Sequence, residues 1–256
     1  MLWVVLAALA LLVGARPAVA LPVALGLAAL VTAGLWRSSQ GAVLAVIRAR
    51  PADPKVHARL HNLVDGLCVA AGVTKPDLYV IDDDGLNVLV AARSRRAPAS
   101  LAVTTGLLNG LSRVELEAVL ARELAQVKSQ EVVVYTVAST LVAGPVLAPD
   151  LLASKGSFAP ARPEARLLAP LTSMVSRLIC AVVGIGHDDV ADAAGVRLTR
   201  YPPGLVSALE KLSAGSTVVA SASKATAHMW LASPLPTSRF DTHLPLEPRI
   251  NALKEL

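Results

Sequence analysis

Residues 2–36 form an almost uninterrupted apolar run, divided by Arg16 and Pro17 into arms of residues 2–15 and 18–35. The second arm is close to the ~20 residues that span a bilayer, and the first can span with tilt or local thinning. A transmembrane hairpin over residues 1–36 is the simplest reading. The rival is a signal peptide with Ala18-Val19-Ala20 as its cleavage site, but no Lys or Arg precedes the apolar run. Arg37, Arg48, Arg50 and Lys55 follow the second arm, and the positive-inside rule places what comes next in the cytoplasm.

Beyond the hairpin the pattern changes. Leu60, Val64, Leu67, Cys68 and Ala71 recur at helical spacing within residues 54–72. Three short β-like runs follow, at 78–81, 87–90 and 100–104, separated by Asp82-Asp83-Asp84-Gly85 and by a turn containing Arg93, Arg95 and Arg96. The Asp run lacks the twelve-residue pattern of a calcium loop and reads as a solvated turn. The Arg run reads the same way, with lipid headgroup contact as the alternative. Ser112-x-x-Glu115 is a capping box. The helix it opens carries an apolar stripe of Val114, Ala118, Ala121 and Ala125, broadened by Leu116, Leu120, Leu124 and Val127, so it is expected to be largely buried. Apolar stretches at 132–149 and 167–186 flank a polar segment, 150–166. They read either as a second membrane hairpin or as core helices. Helices are expected at 188–199, 204–212 and 246–256.

Composition sharpens this picture. Hydrophobic residues make up 54% of the chain and charged residues 17%, against about a quarter charged in soluble domains, so part of the chain should face lipid. Aromatic residues are 3% and the net charge of +5 is scattered, which argues against a nucleic-acid partner. Cys68 and Cys180 sit in apolar surroundings with no C-x-x-C partner and read as small buried hydrophobes. His57 and His61 stand four apart on a predicted helix. No carboxylate lies between them, so spacing alone makes them surface or groove histidines more readily than ligands. No serine lies in a Gly-x-Ser-x-Gly turn.

The central helix reads Ala121-Arg122-Glu123-Leu124-Ala125-Gln126, preceded by Leu101-Ala-Val-Thr-Thr-Gly-Leu-Leu108 and Leu111-Ser-Arg-Val-Glu-Leu-Glu-Ala-Val-Leu120. Together these segments resemble the approach to the zinc helix of the HtpX-like membrane zinc metallopeptidases, a family that also contains the CAAX prenyl proteases. Asn87 resembles the family's Asn-Ala-Phe element, from which Val88 and Leu89 depart. Asp188-Asp189-Val190-Ala191-Asp192 resembles Glu-x-x-Ala-Asp, and Thr242-His243-Leu244-Pro245 with Arg249-Ile250 resembles the closing elements.

The resemblance implies an α+β, mostly helical fold: a zincin-like peptidase domain with a small β-sheet plus membrane-spanning helices. Its parts would be residues 37–130 and 187–256, with a hydrophobic pair at 131–186. It also implies a bacterial inner-membrane zinc endopeptidase facing the cytoplasm. Such enzymes hold zinc with His-Glu-x-x-His and a third carboxylate ligand. Here Glu123 fills the general-base position. The ligand positions hold Arg122, Gln126 and Asp188, while Asn87, Asp192, His243 and Arg249 fall at supporting or cleft positions. A guanidinium has no lone pair to donate, so the sequence leads to the expectation of no cofactor, with zinc lost. Arg122 is expected either to pair bidentately with one of the carboxylates of Glu123, Asp188 and Asp192, or to face solvent. His187 with Asp188 and His243 offers a conceivable rebuilt site, and His228 is expected to line the cleft.

Three functions stay open on this reading: a pseudopeptidase that binds a peptide or a membrane or peripheral protein, an active hydrolase with a reconstituted metal site, and a structural subunit of a membrane complex.

Overall fold

The computed structural model describes residues 17–94, 96–129, 132–137, 188–223, 226–236 and 243–256. A long helix, α1 (Pro17–Val46), leads into β1 (Arg50–Pro51), α2 (Ala58–Ala71), β2 (Asp77–Ile81), β3 (Val88–Ala91) and β4 (Ser100–Thr104). Then come α3 (Thr105–Gly110), α4 (Arg113–Ser129), α5 (Asp188–Thr199), α6 (Pro202–Ala214), a 3-10 turn (Ala227–Met229) and α7 (Leu246–Lys254). This is an α+β arrangement, mostly helical, with one small sheet.

The sheet has four strands in the order β1-β2-β4-β3. β2 runs parallel to β4, while β1 and β3 run antiparallel to their neighbours. β3 and β4 are buried on both faces, as their continuous apolar sequence requires. The two-residue period of a strand divides their side chains between two cores. Val88, Val90, Leu101 and Val103 point into the main core with α2, α4, α6 and α7. Leu89, Ala91 and Ala102 point the other way, onto Val43, Leu44 and Ile47 at the end of α1 and onto Trp230. Trp230 bridges Leu89, and Leu231 N–H donates to Val88 O at 2.9 Å, so the 230–231 segment covers the outer edge of β3.

The local signals account for the boundaries. α2 stops at Gly72, whose φ of +66° suits a residue without a side chain and whose N–H caps Cys68 O at 2.9 Å. The capping box forms as expected: Ser112 N–H donates to Glu115 Oε2 at 2.7 Å, and Glu115 N–H to Ser112 Oγ at 3.4 Å. The stripe expected on α4 is shifted. Leu116, Leu120 and Leu124 are completely buried, whereas Val114 is 50% exposed at the rim beside α6. The sequence reading places no element at α3 or β1. β1 is made by its pairing with β2, whereas α3 has a local start that the reading passes over: Leu107 N–H donates to Thr104 Oγ1 at 3.2 Å.

Among the described residues, no helix is long and apolar enough to cross a membrane. The first arm of the expected N-terminal hairpin lies outside the described residues. The second falls on α1, which carries exposed Val23, Leu25, Leu27 and Leu30. The expected apolar pair lies outside the described residues too, except for a helical stretch at 132–137.

Candidate functional site

The site is assembled where α4 crosses α5. On α5, Asp188, Asp192 and Gly195 share one face by their i, i+4, i+7 spacing. Gly195 lets that face approach closely: a Cβ built there would lie 2.7 Å from Arg122 Cα and 2.8 Å from Arg122 Cβ. The side chain of Arg122 is thereby delivered directly onto the two aspartates.

Its guanidinium uses all three nitrogens. Nε donates to Asp192 Oδ1 at 3.0 Å, Nη1 to Glu123 Oε1 at 2.5 Å and Nη2 to Asp188 Oδ1 at 2.6 Å. Arg249 closes the group from α7: its Nε and Nη2 hold both oxygens of Asp192 at 2.7 and 2.8 Å, and Nη1 donates to Leu231 O at 2.9 Å. Asp188 Oδ2 accepts from Leu244 N–H at 3.2 Å and lies 3.5 Å from His243 Nδ1, while His243 Nε2 meets Ala227 O at 2.8 Å. Arg122, Glu123, Asp192 and Arg249 are buried to within about a hundredth of full burial. Arg122 therefore pairs with carboxylates and does not face solvent, but the expected bidentate pairing with one of them is replaced by a single hydrogen bond to each of three.

The electrostatics follow from this geometry. Burial pushes the Asp188 carboxyl up, but the hydrogen bond from His243 and the charges of Arg122 and Arg249 outweigh it and hold the group well below the usual carboxylate range. Glu123 goes the other way. Complete burial raises it more than Arg122 lowers it, and its Oε2 has no hydrogen-bond partner among the described residues. Burial alone would lower Arg122, yet the three carboxylates, Glu123 foremost, raise it above the ordinary arginine value. Two buried guanidiniums thus face three carboxylates, and each charge depends on the others to offset its desolvation.

The remaining sequence candidates are placed differently. Asn87 is a structural clamp. Its amide donates to Thr217 O and Ala232 O, both at 2.9 Å, and its Oδ1 accepts from Val88 N–H at 3.1 Å. Gln126, half-buried, is not among the side chains the cluster brings together. His61 Nε2 meets Ala52 O at 3.0 Å, and His57 lines a surface hollow beside Arg59 and Asn109. His228 is buried against Tyr135, 3.4 Å from its carbonyl, and burial pushes its pKa down to about 4. His187 lies outside the described residues. Sequence reasoning missed Gly195; the signal was its place on the same helical face as Asp188 and Asp192.

Residues 54–256, which hold every member of this cluster, match the family model of peptidase family M48. The chain belongs to this family. It is 33% identical over 224 residues to the protease HtpX homologue of Tropheryma whipplei (strain Twist), covering 81% of this chain and 76% of that one. It is 29% identical over 241 residues to the protease HtpX homologue of Thermoanaerobacter pseudethanolicus, covering 86% and 79%. With that of Desulfatibacillum aliphaticivorans it shares 34% over 234 residues, covering 85% and 74%.

Membership corrects one expectation. M48 peptidases of the HtpX type are zinc metallopeptidases, so the family points to zinc as the cofactor, against the expected absence of one. The arrangement around Arg122 sets a condition on this. Arg122 has no lone pair and engages Glu123, Asp188 and Asp192 at once, so these residues as arranged do not fit zinc as a ligand set. Zinc binding at these M48 positions requires the guanidinium to leave the carboxylates.

Proposed function

We propose that this M48 chain is membrane-anchored through its apolar N-terminus, faces the cytoplasm with its peptidase-like domain, and works by holding a partner protein or an extended peptide in the cleft without cutting it. The observation that carries the reading is the state of Glu123. A general base needs a carboxylate within reach of the proton it takes. Glu123 is fully buried, with Oε1 bound to Arg122 at 2.5 Å. The anchoring rests on the exposed apolar side chains of α1 and on the HtpX-type relatives. The orientation rests on the basic residues that follow α1.

The test is proteolysis of an unfolded substrate such as casein by the full-length protein, with zinc supplied, beside Glu123→Gln. The expected result is no cleavage beyond that of the variant. Zinc-dependent cleavage that disappears in Glu123→Gln would overturn the reading.

A second reading, an active membrane metalloendopeptidase, has its own observation. Glu123 Oε2 is buried without a partner among the described residues, which leaves an acceptor open to a water or an ion. That reading expects the opposite outcome of the same assay.

A further inference from the structure

The end of α1 and the β3–β4 turn meet in a way that the peptidase-like site does not use. The 20 residues 17–36 carry no charged side chain, and the run ends in Trp36 followed by Arg37. Trp36 is 50% exposed, yet its indole N–H donates to Arg93 O at 2.7 Å. Arg93 Nη1 reaches back to Arg37 O at 3.5 Å. One turn further along α1, Gln40 Nε2 donates to Pro98 O at 3.0 Å and to Ser100 Oγ at 2.6 Å. Both ends of the 93–98 turn are therefore tied to α1, immediately past its uncharged stretch. Inside the turn Ala97 N–H is held by Ser94 Oγ at 3.2 Å, and Arg96 stands exposed.

The result is an exposed group of Arg37, Arg93 and Arg96 beside a half-exposed tryptophan. Among the described residues no carboxylate is ion-paired with any of the three. Exposed guanidiniums gathered at one turn, with no ion pair among the described residues, repel one another unless an anion covers them. The polarity sequence is that of a bilayer boundary: apolar side chains, then an amphipathic indole, then fixed positive charge. A guanidinium fork matches the oxygens of a phosphate.

We propose that Arg37, Arg93 and Arg96, positioned by Trp36, form a binding surface for the headgroups of anionic phospholipids. The proposal rests on the reading that α1 enters a membrane. Its consequence is that the β3–β4 turn is pressed against the bilayer surface, which fixes how the peptidase-like domain stands on the membrane. Each juxtamembrane arginine contributes about a fivefold preference for an anionic surface, so three give a preference on the order of a hundredfold.

The experiment uses the full-length protein, delipidated in detergent and offered equal amounts of phosphatidylglycerol and phosphatidylcholine. Retained lipid is counted by native mass spectrometry. The wild type is expected to retain phosphatidylglycerol preferentially. The triple variant Arg37→Gln, Arg93→Gln, Arg96→Gln is expected to lose the preference, and the corresponding triple Lys variant, which keeps the charge, to hold most of it. Equal retention of the two lipids by the wild type, or an unchanged preference in the Gln variant, overturns the surface and leaves the anchoring reading intact. Displacement of phosphatidylglycerol by inorganic phosphate marks a soluble-anion site and overturns it as well. Flotation with phosphatidylcholine vesicles after detergent removal tests the anchoring alone. Failure to float overturns that reading, and the surface with it.

Discussion

Helix α4 carries two charged networks about two turns apart, and they differ in how much water reaches them. At its first turn Glu115 accepts from Ser112 N–H, Ser207 and Lys211, the last two from α6, at 2.7, 2.6 and 2.7 Å. The Lys211 side chain is 46% exposed, so solvent screens this pair. In the middle of the helix Arg122 makes contacts of similar length, 2.5 to 3.0 Å, but its side chain is 1% exposed and that of Glu123 is 0%. Distances alone would rank the two networks as equals. The surrounding dielectric separates them, because a buried charge that loses its partner keeps its desolvation cost.

The sharpest way to break the comparison is Arg122→Ala. It leaves Glu123, Asp188 and Asp192 facing one another with Arg249 as the remaining guanidinium and His243 beside Asp188. A loss of ~3–5 kcal/mol is expected in chemical denaturation of the detergent-solubilised protein. An unchanged midpoint would mean that the cluster is hydrated and not a buried network. Gly195→Ala tests the same region through its backbone. The new methyl group runs into Arg122 Cα and Cβ, neither of which is a flexible chain end. Forcing the helices apart should cost about 1–3 kcal/mol and loosen Asp188 and Asp192 together, read as faster hydrogen exchange in α5.

At the rim the expected effects shrink. Lys211→Ala should cost less than ~1 kcal/mol in the same denaturation experiment, because Glu115 keeps Ser112 and Ser207 and gains water. A loss as large as that of Arg122→Ala would erase the contrast between the two networks.

Acid resolves the rim pair further. Burial pushes Glu115 up, but Lys211, Ser207 and Ser112 bring it down from the ordinary 4.5 to about 2. A carboxyl lowered by folding stabilises fully above its unfolded value and loses that contribution as pH falls through its folded one. The stability difference between wild type and Glu115→Gln should therefore be constant above about pH 4.5 and vanish near pH 2. A difference that persists below pH 2 would assign the effect of Glu115 to packing.

The two networks also differ in how far the chain announces them. The rim pair begins with Ser112 and Glu115, three residues apart, whose reciprocal bonds are a local rule of helix starts. At the centre, adjacent Arg122 and Glu123 were legible as charges on a helix, and the family pattern pointed to Asp188 and Asp192. The convergence itself was not legible. It joins residues 66 and 70 positions apart, then adds Arg249 at 57 from Asp192. Pairing of Arg122 with three carboxylates depends on the closeness of α4 and α5, and that closeness depends on Gly195. Trp230 beside β3 was equally invisible, since edge pairing needs only an exposed strand and a segment within reach.

By itself the sequence determined the elements with strong local physics: α2 with its glycine stop, the continuous apolar strands β3 and β4, the capped helix α4, and an apolar stretch that ends in arginines. Periodicity, capping and the aversion of apolar side chains to water act over a few residues, so they can be read along the chain. The tertiary structure alone decided which charges meet, which of them are screened, and that Asn87 is a clamp for two loops, 130 and 145 residues away. Those outcomes depend on distance and dielectric between distant segments, and neither quantity exists until the helices and the sheet have packed.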